Sequence, residues 1–293
     1  MAAERIVVTG GAGRLGRVVV ERLVARHAVT VLDIVDDPPL PSGATYVKGN
    51  ITNYDAVRRV LADHDTVVHL AAIPNPRTAP APVTFNTNVQ GAWVVMQAAE
   101  DAGVRRVCVA SSDSVFGLSY NPPDWPPKYL PVDEEHPCRP TEFYSLSKQV
   151  TETIAQSYAA RRKLEVLVIR PVHILFPAVY PEIPARGADA QNYHFWAYVA
   201  PEDVAQAFER TTAVPYPGYN VFAISAAAGM NERPTLEMAR ERWGASMPPV
   251  KRPHYYAANP RASVIDITKA RTMLGYEPQL TWRDLVARHT STG

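Results

Sequence analysis

Thr9-Gly10-Gly11-Ala12-Gly13-Arg14-Leu15-Gly16 decides the fold, because of what stands on either side of it. Before it, Arg5-Ile6-Val7-Val8 reads as a short buried strand; after it, the apolar residues of 14–25 recur at helical spacing. The glycines at 10, 13 and 16 therefore fall in a strand-to-helix turn. There a bare backbone lets a pyrophosphate approach, and the helix start offers unpaired N–H groups and a positive dipole end. A second strand, Val29-Thr30-Val31-Leu32, ends on Asp33, twenty residues past Gly13. A carboxylate there accepts both ribose hydroxyls of an adenosine and repels a 2′-phosphate. Glycines alone also mark plain turns. With strand, helix and acid in register, the spacing predicts a dinucleotide site that prefers NAD to NADP.

Length and charge fit that reading. A chain of 293 residues buries a large core and allows one or two domains. Its 30 basic and 29 acidic residues leave a net charge of +1, which argues against a nucleic-acid or acidic-membrane partner. Of the two cysteines, Cys108 lies in an apolar run and reads as core, so neither a disulfide scaffold nor a thiolate metal site is expected. The first strand starts at residue 5, and no apolar run has the length of a membrane span. The expectation is a soluble cytoplasmic protein.

Strands and helices then alternate. Thr45–Lys48, Thr66–Leu70, Arg106–Ala110 and Val166–Ile169 read as strands; 54–61, about 85–102 and 141–161 read as helices. Short apolar strands separated by amphipathic helices imply a doubly wound parallel sheet, covered on both faces. Such sheets bind ligands beyond the C-terminal strand ends, so the loops at 10–16, 71–84, 111–140 and 171–198 are expected to ring one site. After residue 170 the pattern loosens into a Pro- and Ala-rich stretch. A helix near 201–212, a strand near 220–224 and short C-terminal helices follow. The expected organisation is a dinucleotide-binding domain over 1–170 and a small substrate lobe over 171–293 whose chain crosses back to the sheet.

Tyr144 and Lys148 are four residues apart and share a helix face. A phenol titrates at about 10, too high for a base at neutral pH. A neighbouring ammonium and an oxidised nicotinamide both favour phenolate. Ser112 follows the fifth strand, where its hydroxyl can hold a substrate oxygen. An isolated Tyr-x-x-x-Lys is usually a surface pair; behind a dinucleotide loop and a strand-end Ser-Ser it reads as catalytic.

These motifs resemble the extended short-chain dehydrogenase/reductase family, which includes NAD-dependent sugar epimerases and dehydratases. The match takes in TGGAGRLG at 9–16, Asp33, HLAA at 69–72, Asn88-Val89, SSDSVFG at 111–117, YSLSK at 144–148, Arg170-Pro171 and DITKARTMLGYEP at 266–278. The resemblance implies a Rossmann-type fold and NAD as cofactor. It implies cofactor contacts at Gly10, Gly13, Arg14, Leu15, Asp33, Asn50, Ile51, Leu70, Ala71, Ala72, Asn88, Tyr144, Lys148 and Pro171. Tyr144 becomes the general acid/base, Lys148 the holder of the nicotinamide ribose, and Ser112 the residue orienting the reacting hydroxyl. Asn50 replaces the usual Asp at the adenine amine, where its amide oxygen can accept the same bond. The resemblance also implies a homodimer pairing 85–102 and 141–161 across subunits, with Val94, Val95, Ile154 and Tyr158 as apolar positions that could equally pack inside one subunit.

Departures from the family bear on substrate. His173 stands where nucleotide-sugar members carry Asn, Trp196 where they carry an Arg for the substrate pyrophosphate, and Tyr256 near a second such Arg. Charged hydrogen bonds contribute roughly 1.5–3 kcal/mol each. Losing them favours a small substrate without a pyrophosphate, unless Arg186, Arg252 or Arg261 substitutes. The short span from Phe176 to Trp196 agrees, and the chain is similar to short members such as uronate dehydrogenase. Asp113-Ser114 replaces the Asp-Glu pair of dehydratases, which disfavours loss of water; Asp113 equally suits a turn cap. Ile73, Asn75 and Arg77, beyond the fourth strand, together with Asp113, Ser114, His173 and Trp196, are the substrate candidates. His69 reads as a core imidazole, and the spacing of His136, His173, His194 and His254 supports no metal. The expectation is an NAD-dependent dehydrogenase of a free sugar or sugar acid. The alternatives are an epimerase that keeps its NAD and, behind it, a catalytically silent NAD-binding protein.

Overall fold

The computed structural model describes residues 3–120, 122, 125–215 and 218–290. Seven strands form one sheet in the order β3-β2-β1-β4-β5-β6-β7. They are β1 Arg5–Thr9, β2 Ala28–Asp33, β3 Ala44–Lys48, β4 Thr66–His69, β5 Arg106–Ala110, β6 Glu165–Pro171 and β7 Tyr219–Ile224. The pairs from β3 through β6 run parallel, with Val7 opposite both Thr30 and Val67. Val166 N–H bonds to Gly218 O and Val172 N–H to Ile224 O, so β7 ascends with β6. The chain thus has the doubly wound parallel α/β sheet that its strand–helix alternation predicts. The strand order reverses between β1 and β4, which opens the switch point where such sheets bind ligands.

The described helices are α1 Arg14–Val24, α2 Tyr54–Leu61, α3 Ala81–Phe85, α4 Gly91–Ala102, α5 Phe143–Ala160, α6 Ile183–Ala188, α7 Pro201–Ala213, α8 Thr235–Trp243, α9 Pro253–Ala258, α10 Thr268–Leu274 and α11 Trp282–Thr290. The single helix expected over 85–102 is three pieces: α3, a π-helical turn at Asn86–Gln90, and α4. Such turns mark places where a side chain is redirected. Here Asn88 lies on the wide turn and faces inward.

By internal contacts the chain forms two compact units, each built from three segments of the sequence. One comprises Met1–Ser111, Glu142–Ile169 and Ala205–Val221; the other comprises Ser112–Thr141, Arg170–Val204 and Phe222–Gly293. In the first unit Val7, Val67, Val107 and Val166, from four strands, share a core with Leu61, Val95 and Ala155. Val94, Val95 and Tyr158, expected at a subunit seam, belong to this same core and are closed off inside the chain. They cannot also cover a partner; Ile154 alone of that set is only partly buried. In the second unit isolated bridges join Leu130 to Val250, Val132 to Ile265, Ile174 to Val199 and Ala228 to Ala262. Asp203 accepts from the backbone N–H groups of Gln279 and Leu280 (2.8 and 3.2 Å), tying the C-terminal segment down.

Candidate active site

At the end of β1, Gly10 has φ +72°, and a Cβ there would lie 2.6 Å from Ala71 N. No side chain fits, so the loop after β1 lies directly on the chain leaving β4. At Gly13, the N-cap of α1, an added Cβ would meet only Gly10 O, at 3.2 Å. That face is otherwise open. No side chain caps α1 and its first turn holds no acidic residue, an arrangement that suits an anion at its N–H groups and positive dipole end. Arg14 and Leu15 form that first turn, Arg14 exposed and Leu15 half-buried. Asp33 Oδ2 accepts from Ala12 N–H (3.0 Å) and Oδ1 from Ile34 N–H (2.7 Å). Its charge is thereby fixed beside the glycine loop, with acceptor capacity left over, since a carboxylate takes about four hydrogen bonds. The loop and its acid fit a dinucleotide.

Three expected cofactor residues have other tasks. Asn50 Oδ1 accepts from both Thr52 N–H and Thr52 Oγ1 (3.0 Å each), so it is saturated and cannot also take the adenine amine. A backbone N–H only donates, which fixes that atom as the oxygen. The Ile51 side chain is buried in the core, where it fills the space a Cβ at Gly91 would need, 2.4 Å from Ile51 Cδ1. Asn88 Nδ2 donates to Ile73 O (3.1 Å) and Ser147 Oγ (2.9 Å), and its Oδ1 accepts from Ile73 N–H (2.8 Å). The buried amide therefore clamps the loop after β4 rather than reaching for a ligand. Leu70, Ala71, Ala72 and Ile73, the backbone it steadies, are half-buried. Asn75 is also half-buried and Arg77 exposed, with Asn75 Oδ1 closing a turn on Arg77 N–H (2.9 Å).

Helix α5 opens on Glu142, whose carboxylate accepts from Tyr144 and Ser145 N–H groups, both at 2.6 Å. That cap fixes the turn carrying Tyr144. Lys148, one turn on, is buried, and its Nζ donates to Ala110 O at the end of β5 (2.9 Å). Burial lowers its ammonium to about 8, while Glu152 opposes the fall. Glu152 Oε1 accepts from Ser111 Oγ (2.5 Å). Sequence reasoning missed Glu152, although its i+4 spacing from Lys148 was the available signal. On β4, His69 Nδ1 lies 2.8 Å from Thr9 Oγ1. Thr9 Oγ1 also accepts from Ala71 N–H (3.3 Å), which ties the end of β1 to the chain leaving β4. Burial first and Lys148 second hold His69 down to about 3, neutral as a core imidazole should be.

In the second unit Ser112 Oγ caps a short 3-10 turn, accepting from Ser114 N–H (3.1 Å) and donating to Asp113 Oδ1 (3.2 Å). Burial pushes the Asp113 carboxyl up to about 7 against those bonds. Ser114 Oγ is enclosed with no protein partner among the described residues. Pro171, at the end of β6, is buried. His173 stacks on His194 with ring centres 3.8 Å apart, and Arg186 Nη1 stands 3.4 Å from its Nε2. Burial and then Arg186 lower His173 to about 4. Trp196 corrects the expectation: it is fully enclosed and donates its indole N–H to Asp189 O (2.9 Å), so it is core and not pocket lining. Cys108, as expected, is buried, and burial pushes its thiol up to about 11.

The comparisons with known proteins agree with this geometry. Residues 6–191 match the NAD dependent epimerase/dehydratase family. An L-arabinose 1-dehydrogenase (NAD(P)(+)) of Haloferax volcanii is 34% identical over 219 residues, covering 73% of this chain and 84% of that protein. A uronate dehydrogenase of Pseudomonas syringae pv. tomato is 28% identical over 220 residues, covering 74% and 72%. A short-chain dehydrogenase/reductase superfamily protein from Agrobacterium tumefaciens, solved with NAD bound, superimposes with a TM-score of 0.73 at 21% identity, over 98% of this chain and 96% of that one. Loop, acid, strand order and sequence match converge: the chain belongs to the NAD-dependent epimerase/dehydratase family, enzymes of the extended short-chain dehydrogenase/reductase type.

Proposed function

We propose that the protein is a dehydrogenase that oxidises a free sugar or sugar acid, with hydride passing to NAD. The observation that carries this reading is the state of the arginines that could replace the missing pyrophosphate ligands. Arg252 is clamped between Asp133 and Asp266 (both 2.5 Å), Arg186 pairs with Glu182 (2.6 Å) and Arg261 with Glu232 (3.2 Å). Each of these guanidinium groups already has a carboxylate partner that an incoming pyrophosphate would have to displace. With Trp196 enclosed, nothing in this set suits a nucleotide diphosphate. The resemblance to an arabinose and a uronate dehydrogenase points the same way.

NAD, when bound, supplies the hydride acceptor. Tyr144 as phenolate takes the substrate hydroxyl proton while the carbon gives up its hydride, leaving a carbonyl. Lys148 holds the nicotinamide ribose and favours the phenolate; Ser112 orients the reacting oxygen. The hydroxyl of Ser114 stands ready for a substrate polar group, His173 lines the substrate side, and Asp113 holds the Ser112 hydroxyl by accepting its bond (3.2 Å). Asn75 and Arg77 offer further polar contacts. We further propose a homodimer, through the α3–α4 face where Phe85, Val89, Trp93 and Ile154 line an apolar depression of about 450 Å³.

The test is a screen of free aldoses, sugar acids and nucleotide sugars read by NADH absorbance. Steady NADH with a free sugar or sugar acid is expected. Isomerised product without net NADH would make the protein an epimerase, and turnover confined to nucleotide sugars would overturn the substrate reading.

A further inference from the structure

Glu152 is a buried carboxylate one helical turn past Lys148, on the same face of α5 and only 6% exposed. Every group near Lys148 bears on why it is there. From β5 come the Ala110 carbonyl, which accepts from Lys148 Nζ, and Ser111, whose hydroxyl donates to Glu152. From β4 comes His69, whose Nδ1 is engaged by Thr9 of β1 and which stays neutral above pH 4. From α5 itself come Tyr144 and Glu152. Glu152 is thus the anion in this set that does not take part in the chemistry.

We propose that Glu152 is a positioning residue that keeps Lys148 an ammonium and, through Ser111, fixes the strand end against which that ammonium rests. One buried carboxylate serves both ends of the arrangement. It offsets the desolvation of the cation, and it holds the residue before Ser112 in place. The inference rests on the reading that Lys148 binds the nicotinamide ribose, so the test is built to fail separately from that reading.

NAD affinity is measured by calorimetry from pH 6.5 to 9.5 for the unaltered protein, Lys148→Met, Glu152→Gln and Glu152→Asp. An ammonium that binds the ribose loses affinity as pH rises through its pKa, so the unaltered protein should weaken above about pH 8, and Lys148→Met should be flat. Glu152→Gln keeps an acceptor for Ser111 but removes the charge. Because an adjacent anion raises a cation's pKa by about 1–3 units, its loss should move the weakening down by about one pH unit or more. Affinity at pH 6.5 should stay within about twofold, and at pH 8 it should fall about fivefold, as a shift of that size requires. Glu152→Asp should restore the original profile in part.

A Glu152→Gln profile identical to the unaltered one, or lowered equally at every pH, overturns the proposal. Should Glu152→Gln not fold, the double variant Lys148→Met/Glu152→Gln decides. Folding of the double variant alone supports a charge pair, because a single buried charge is what costs stability; failure of both overturns it. An unaltered profile that is flat and equal to that of Lys148→Met sinks the cofactor role of Lys148, and the proposal with it.

Discussion

Asp33→Asn is the substitution that most directly tests how the chain chooses its cofactor. In the structure the carboxylate spends one oxygen on Ala12 N–H at 3.0 Å and the other on Ile34 N–H at 2.7 Å. About half of its roughly four acceptor sites remain for the two ribose hydroxyls. Asparagine has one acceptor oxygen and no charge. It can keep the Ala12 bond only by surrendering a ribose bond, and the bonds it keeps become neutral ones. Charged hydrogen bonds contribute roughly 1.5–3 kcal/mol each, so NAD affinity should fall about 10- to 150-fold. NADP moves the other way, because the anion that repels its 2′-phosphate is gone. The NAD:NADP preference should therefore collapse by more than the loss in NAD affinity alone. Calorimetric titration of both cofactors into both proteins reads this directly, with thermal unfolding run alongside to exclude a folding defect. Equal affinity of the unaltered protein for NAD and NADP would refute the reasoning, as would an Asp33→Asn protein whose preference is unchanged.

Tyr144→Phe removes only a hydroxyl, so NAD should bind as before while turnover drops about 10²–10⁴-fold; activity within threefold of the parent would put the chemistry elsewhere. Asn88→Leu strands Ile73 N–H and Ile73 O, while Ser147 Oγ keeps its bond to Tyr144 O (2.6 Å). At about 1–3 kcal/mol per buried unsatisfied group it should lower the urea midpoint clearly, and a midpoint equal to the parent's would show that the clamp is idle. His69, His136 and His173 are held by burial at about 3, 4 and 4, below the unfolded value of 6.5. Between pH 6.5 and 4 the unfolded chain therefore binds protons that the folded one refuses, and stability falls as pH falls through that window. Asp113, raised to about 7, and Glu134, raised by burial, oppose this. Urea unfolding at pH 7 and pH 5 checks the sign, and equal or greater stability at pH 5 would contradict it. Trp93→Glu should shift the sedimenting species from dimer to monomer, and an unchanged dimer would place the interface on another face.

The parallel sheet was legible because its evidence is local. Apolar runs, glycine spacing and Asp33 are read within a few residues, and every predicted strand is present. What escaped the sequence depends on partners far along the chain. Asn88 looked like a cofactor ligand until Ile73 consumed its amide, and Asn50 looked like a substitute for Asp until Thr52 saturated its oxygen. Val94, Val95 and Tyr158 fit a helical stripe that could face a partner or a sheet, and periodicity cannot tell those apart. Trp196 shows the same limit, since an aromatic in a Pro-rich stretch reads alike whether it lines a pocket or fills a core.

On the proposed role of Tyr144 as base, the order of residues along α5 is an electrostatic requirement. Tyr144, Lys148 and Glu152 follow one another at intervals of four, so they lie along a single stripe, which then continues into the core residues Ala155 and Ala159. Tyr144, Lys148 and Glu152 are all buried, where a lone charge is costly. A phenol that must ionise needs a cation next to it, and a cation buried that deeply needs an anion behind it. Exchanging Lys148 and Glu152 would keep the same residues and the same net charge. It would nevertheless set a carboxylate against the phenol, and an adjacent anion opposes ionisation. The sequence phenol, ammonium, carboxylate, apolar is therefore an electrostatic ordering that composition alone does not supply. The exchanged double variant should fail as an enzyme even where it still folds.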